Sequence, residues 1–119
     1  MKSGPENNDS AALDVCLRLR GSPGYASYDA AIAALRRRCR GLSAADADQL
    51  IRNAEAVFDA ALAFMAERTE HLLAIFQETR AVCPEDVQPF ESQFRIECPT
   101  ASPLLARRAL WSAALHHLR

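Results

Sequence analysis

Four arginines within five positions form the densest cluster of like charge in the sequence: Arg36, Arg37, Arg38 and Arg40. Guanidinium groups in such a cluster are suited to contact the phosphates of nucleic acid or an acidic protein surface. The cluster also falls at the predicted C-terminus of a helix, directly before Gly41, where the helix dipole favours cations. No recognisable nucleic-acid-binding motif accompanies the arginines. A helix C-terminus is therefore the preferred interpretation, and an anionic partner is the alternative.

Glu67 and His71 are four residues apart, which on one helix places a carboxylate and an imidazole on the same face. Metal sites in helical bundles combine paired Glu-x-x-His motifs with further carboxylates, and no such motif occurs in this sequence. The adjacent residues His116 and His117 cannot face one site from a helix. A solvated polar face accounts for these residues better, and the sequence predicts neither a metal nor a cofactor.

The four cysteines do not form a motif that indicates catalysis. Cys83 and Cys98 each precede a proline, while Cys16 and Cys39 lie on apolar helix faces. All four are predicted to be small buried hydrophobic residues, and pairing of Cys83 with Cys98 stays open. The sequence also has no glycine-rich phosphate loop, no nucleophile elbow and no obvious pair of acids. We therefore expect a protein that is not an enzyme.

Composition places the chain among small globular proteins. It has 119 residues, half of them hydrophobic, and a formal net charge of −1, which gives no global attraction to nucleic acid or anionic lipid. No apolar run is long enough to span a membrane, and the polar N-terminus is unlike a secretory signal. The cytoplasm, where the cysteines stay reduced, is the expected compartment.

Charge is distributed unevenly along the chain. Residues 43–98 carry eleven acidic and four basic side chains, whereas residues 1–42 and residues 99–119 each have a net charge of +3. Basic ends around an acidic middle favour folding of the ends onto the middle. Exposed ion pairs contribute only about 0–1 kcal/mol each, so this pattern biases the arrangement more than it stabilises it.

The predicted fold is all-α, a bundle of about four helices with one long central helix. Alanine is abundant and glycine is scarce, which favours helix throughout. Residues 1–9 are predicted to form a disordered N-terminal tail, since they are polar and carry no periodic apolar signal. Residues 10–119 are predicted to form a single helical domain.

Residues 10–20 carry two competing patterns. Helix capping and charge spacing favour a helix, whereas Val15, Leu17 and Leu19 alternate with other residues as in a strand. The run at 94–98 also alternates. The helix is preferred for residues 10–20, and pairing of the two runs in a short two-stranded β element is the alternative.

Serine residues mark three predicted helix starts. Ser27 precedes a helix over residues 28–40, Ser43 opens the long central helix, and Ser102 with Pro103 opens the last helix. The apolar face predicted for the last helix includes Leu104, Trp111, Leu115 and Leu118.

The long helix is predicted from residues 44–82, which contain neither Pro nor Gly. Apolar residues recur there every three to four positions, as expected for a core-facing helix or a coiled seam. They include Ile51, Ala54, Phe58, Ala61, Met65, Leu72, Ile75 and Val82.

An unbroken helix over residues 43–82 would be about 60 Å long, whereas a compact domain of this size has a diameter of roughly 35 Å. The projecting half would still be apolar, and exposing each large side chain costs about 1.5–3 kcal/mol. Either the helix breaks in the polar run at 67–71, or a second chain covers it. None of the residues in that run is a helix breaker, which favours the unbroken helix with a partner.

The predicted function is a non-enzymatic protein–protein interaction module, an adaptor, chaperone-like or regulatory protein that forms a homodimer or binds a protein partner. The predicted contact residues are Phe64, Leu72, Phe76 and Trp111, because large apolar side chains dominate such interfaces. The alternative is a small nucleic-acid-binding or transcriptional regulatory protein that uses Arg36–Arg40.

Overall fold

The structure, a computed structural model, describes residues 5–21, 24, 27–81 and 83–118. These residues form α-helices and one 3-10 turn with no strand among them, which confirms the all-α class. The chain divides into two compact units, Met1–Ala56 and Val57–Arg119, called unit 1 and unit 2 below. This division does not test the predicted single domain, which stays a prediction. No helix of the described residues is long and apolar enough to cross a membrane.

Unit 1 contains α1 (Pro5–Arg20), α2 (Tyr28–Arg38) and the first part of α3 (Ala44–Ala66). Helices α1 and α2 pack against each other. Residues 10–20 are therefore helical, as preferred from the sequence. Residues 5–9 also belong to α1, and the rest of the tail predicted to be disordered lies outside the described residues.

Local capping explains where three of the helices begin. The side-chain oxygens of Ser27, Ser43 and Ser102 each accept a hydrogen bond from the backbone N–H three residues later, at 3.1, 3.0 and 3.4 Å. Such bonds satisfy backbone donors that the first turn of a helix leaves without partners. The three helix starts predicted from serine are thus confirmed.

Unit 2 contains the second part of α3 and the elements that follow it. They are α4 (Thr69–Thr79), α5 (Pro84–Val87), a 3-10 turn (Gln88–Phe90), α6 (Glu91–Glu97) and α7 (Pro103–His117). Helix α7 packs against α4, α5 and α6. The imidazole of His117, at its end, forms a hydrogen bond with the carbonyl of Leu62 in α3 at 2.8 Å. These contacts place α7 in the middle of the unit.

The unbroken helix predicted over residues 43–82 is wrong, because α3 ends at Ala66 and α4 begins at Thr69. The chain makes a turn at Glu67 and Arg68 without Gly or Pro. Together with the short helices after residue 83, this break also gives more helices than the four predicted.

Side chains replace the backbone hydrogen bonds that the turn removes. The backbone N–H of Arg68 bonds to the carbonyl of Met65, at 3.0 Å, rather than to that of Phe64. The guanidinium Nη1 of Arg68 donates to the Phe64 carbonyl at 2.7 Å, and the hydroxyl of Thr69 donates to the Ala66 carbonyl at 2.8 Å. Intrinsic helix propensity did not reveal this break. Arg and Thr are tolerated inside a helix, yet here their side chains also bond to the last carbonyls of α3 and so end it.

The possible β element is absent from the described residues, because both of its segments are helical. The alternation at 94–98 does not define a sheet face. Phe94 is buried, whereas Ile96 is 72% exposed. The strand-like spacing comes from Phe94, Ile96 and Cys98, and only Phe94 of these three is buried in the core.

The apolar face predicted for α7 is also different in the structure. Its buried residues come in pairs every four positions, which are Leu105, Ala106, Ala109, Leu110, Ala113 and Ala114. Leu115 is exposed, and Leu104 and Trp111 are half-buried. Four alanines and two leucines therefore form the packed side of α7, and the small side chains let neighbouring helices approach closely.

Candidate partner-binding groove

A cavity of about 270 Å³ lies in unit 2 between α3 and α6. It is called the acidic groove below. Its lining residues are Ala60, Ala63, Phe64, Glu67, Phe94, Glu97 and Cys98. They combine an apolar floor with two carboxylates and one thiol, and no cationic side chain is among them.

The floor of the acidic groove follows from residue spacing on α3. One stripe along this part of the chain begins at Ala60 and continues three, four and seven positions later with Ala63, Phe64 and Glu67. The two alanines leave room above Phe64. The ring of Phe64 meets the edge of the Phe94 ring, with centroids 5.3 Å apart and planes at 68°. Both rings are buried, so they form a rigid base for the cavity.

The two carboxylates of the groove are open to solvent. The side chain of Glu67 is 81% exposed and lies 3.7 Å from the guanidinium of Arg68. The carboxylate of Glu97 accepts a hydrogen bond from the side-chain amide of Gln93 at 3.2 Å. Neither contact buries the acid, and both carboxylates keep acceptor capacity for a further donor.

Arg68 packs against two aromatic rings, one of which, Phe64, also lines the groove. Its guanidinium carbon lies 3.5 Å from the centroid of Phe64 and 5.8 Å from that of Phe90. Attraction between a cation and an aromatic face adds to its hydrogen bond with the Phe64 carbonyl. The charge of Arg68 is thus committed to the turn between α3 and α4.

Glu67 and His71 do not sit on one helix. Glu67 lies in the turn before α4, and His71 lies within α4, where its ring meets the edge of the Phe90 ring at a centroid distance of 5.4 Å. Within the described residues, no three His, Cys, Asp or Glu side chains converge in a way that could hold a metal ion.

The four contact residues predicted from the sequence have different environments. Leu72 is completely buried, and Phe64 is buried in the floor of the acidic groove. Phe76 is 37% exposed on α4, and Trp111 is half-buried on α7. Leu72 therefore belongs to the interior of unit 2, and only Phe76 offers a large accessible apolar surface.

Sequence reasoning missed the residues that complete the groove on its other side. Glu97 and Cys98 were assigned to an alternating run, and Ala60 and Ala63 were not considered as binding residues. It also missed the exposed Ile96. The apolar periodicity of α3 indicated the residues on one side of the groove. The residues on the other side belong to α6, whose sequence alternates as a strand does.

The arginine cluster lies at the end of α2 in unit 1, as predicted, and all four side chains are exposed. The Nε of Arg36 donates to the carbonyl of Leu42 at 3.0 Å, which caps the end of the helix. Arg38 forms an ion pair of 3.2 Å with Asp14 of α1. Half of the cluster is therefore engaged in holding unit 1 together.

None of the four cysteines forms a disulfide in the structure. Cys16 and Cys39 are buried in unit 1, and burial raises the pKa of the Cys39 thiol. Cys98 is half-buried and Cys83 is exposed, so the predicted burial of Cys83 is wrong. Its backbone N–H donates to the carboxylate of Asp86 at 2.7 Å, which places Cys83 outside the first turn of α5.

Comparison of the chain with protein-family models, with curated proteins and with solved structures finds no match. Function is therefore inferred from the geometry and the charge of the chain itself.

Proposed function

We propose that the chain is a non-enzymatic protein–protein interaction module that binds a helical segment of a partner in the acidic groove. The observation that carries this proposal is an open apolar floor between two helices, edged by the carboxylates of Glu67 and Glu97. Helices that lie in apolar grooves are a common mode of recognition between proteins.

The size and charge of the groove define its occupant. Sites for small molecules usually have volumes of about 300–1,000 Å³, so a cavity of about 270 Å³ fits a few side chains better than a cofactor. Apolar side chains would cover the floor, and basic side chains would meet the two carboxylates. The expected occupant is thus a helix that carries both small or apolar and basic residues on one face.

A pair of alanine variants tests the groove. Ala63→Trp fills the cavity from an exposed position on α3, whereas Ala74→Trp adds the same side chain at an exposed position on α4 that does not line the cavity. We expect immobilised wild type and Ala74→Trp to retain the same proteins from a cell extract, and Ala63→Trp to lose them. Equal retention by both variants, or no retention by wild type, would contradict the proposal.

Nucleic-acid binding through Arg36–Arg40 is a second candidate, favoured by the exposure of all four side chains. Its position at a helix C-terminus opposes an anion, because the helix dipole is negative there. Salt-dependent retention of the protein on immobilised DNA, lost in Arg37→Glu, is expected if this candidate is correct. Retention of Arg37→Glu equal to that of wild type would exclude the cluster as a DNA site.

A further inference from the structure

One face of α2 has the chemistry that the acidic groove would accept. Ala33, Arg36 and Arg37 are exposed and lie at positions that share this face, with Arg40 just beyond the end of the helix. The opposite face of α2, which includes Leu35, is buried. The exposed face therefore has a small residue at its centre and guanidinium groups at one end.

Two of these arginines keep their charge available. Among the described residues, Arg37 and Arg40 form no ion pair, unlike Arg38 with Asp14. In the groove, Glu67 and Glu97 are the acids exposed beside the apolar floor. Guanidinium and carboxylate groups form paired hydrogen bonds of matching geometry, so the two surfaces are complementary in both charge and donor pattern.

We infer that the acidic groove of one copy of the chain binds the arginine face of α2 from a second copy. This inference rests on the proposed function and names the partner. The inferred assembly is reciprocal: each copy offers its α2 face to the acidic groove of the other copy, and the two copies are related by a two-fold axis. The closed product is a homodimer with two identical contacts.

The charge pattern gives the expected salt dependence. The pairs lie at exposed positions, where ions in solution screen them strongly. Self-association is expected to weaken by about tenfold or more when NaCl rises from about 0.05 to about 0.5 M, since the screening length falls several-fold over that range. Sedimentation velocity at several protein concentrations measures it, and a dimer of unchanged stability over this range would argue against the inference.

A charge exchange provides the decisive test. The patch variant is Arg37→Glu with Arg40→Glu, and the groove variant is Glu67→Arg with Glu97→Arg, all four at exposed positions. Each variant alone places like charges on both surfaces, so each is expected to remain monomeric. An equal mixture restores opposite charges at both contacts and is expected to dimerise as wild type does.

Two outcomes would overturn the inference: a wild type that stays monomeric at high concentration, or a mixture of variants that fails to associate. Circular dichroism checks that each variant keeps its helices. The capture experiment with the two alanine variants tests the proposed function separately. Proteins other than this chain that are retained by Ala74→Trp and lost by Ala63→Trp would support the groove as a binding site even if wild type is monomeric.

Discussion

Leu72 has a different environment in the structure from the one that the sequence predicts for it. The sequence indicates a contact residue on a projecting helix, whereas the structure buries it completely in unit 2. We expect Leu72→Ala to lower the free energy of unfolding by about 2–5 kcal/mol, because it leaves a cavity. The neighbouring Leu73 is 41% exposed, and Leu73→Ala serves as the matched control.

Urea denaturation followed by circular dichroism measures both changes. A Leu72→Ala protein as stable as Leu73→Ala would contradict the burial of Leu72. For the same reason, Leu72→Glu is expected to unfold unit 2 rather than to change the assembly state of a folded chain, since it would bury a charge without a partner.

Tyr28 links two helices of unit 1 and has an altered ionisation. Its hydroxyl donates to the backbone carbonyl of Asp48 at 3.4 Å, and Arg52 pairs with the Asp48 carboxylate at 2.9 Å. Burial, and after it the nearby Asp48 carboxylate, raise the pKa of Tyr28 from 10.0 to about 12. The neutral phenol therefore stabilises the fold fully below about pH 10, and this contribution is lost as the pH rises towards 12.

Ultraviolet titration of wild type and of Tyr28→Phe checks the ionisation. The difference between the two curves is the titration of Tyr28, for which we expect a midpoint near pH 12. A midpoint near the usual value of about 10 would contradict the environment described for this phenol.

At the scale of elements, Arg68 is expected to stabilise the turn between α3 and α4. Arg68→Met keeps an apolar stem but removes both the hydrogen bond to the Phe64 carbonyl and the cation over the Phe64 ring. We expect a loss of about 1–3 kcal/mol in the free energy of unfolding. Arg37→Met, at an exposed helical position, is the control and is expected to change it by less than about 0.5 kcal/mol.

Thermal or urea unfolding compares the two arginine variants at a protein concentration low enough to avoid association. Equal stability of Arg68→Met and Arg37→Met would mean that the turn does not depend on the guanidinium. Increased helix content in Arg68→Met would instead indicate that α3 and α4 had joined.

Among the residues that the structure describes, two adopt a left-handed backbone at the ends of elements. Arg80, with φ of +63°, ends α4, and Gly41, with φ of +91°, follows α2. Only glycine adopts this conformation without steric cost. We expect Arg80→Gly to raise the free energy of unfolding by about 0.5–1 kcal/mol and Gly41→Ala to lower it by about 1 kcal/mol.

The Gly41→Ala change isolates backbone strain, because a Cβ at this position would meet no atom within 4 Å. The denaturation midpoints of both variants, compared with that of wild type, therefore measure the energetic cost of the left-handed conformation. Shifts of the same sign in the two variants would contradict this account.

At the scale of the whole molecule, the reactivity of the cysteine thiols shows whether the fold opens. Cys16 and Cys39 are buried in unit 1, whereas Cys83 and Cys98 reach solvent in unit 2. A disulfide-exchange reagent at neutral pH is expected to modify Cys83 and Cys98 in the folded protein. The other pair should react only in denaturant, since burial hinders access to both and raises the pKa of Cys39.

Peptide mapping after partial labelling identifies which thiols react. Rapid modification of Cys16 or Cys39 without denaturant would show that unit 1 opens readily. The inferred dimer predicts slower labelling of Cys98 in wild type than in the patch variant at high protein concentration, because Cys98 lines the acidic groove.

The helix starts were predictable from the sequence because their causes are local. The capping hydrogen bonds of Ser27, Ser43 and Ser102 each join residues only three positions apart in the chain. The apolar spacing on α3 is local in the same sense, and it indicated the stripe that forms the floor of the groove.

By itself, then, the sequence determined the helical class, three capped helix starts and the arginine cluster at the end of α2. Only the tertiary structure decided where the long apolar segment breaks and what lies opposite it. The turn at Arg68 depends on the rings of Phe64 and Phe90, and the groove depends on Phe94 meeting Phe64 from another helix. Partners separated by 20 to 30 residues leave no periodic signal in the chain, so their packing, rather than helix propensity, set the architecture of unit 2.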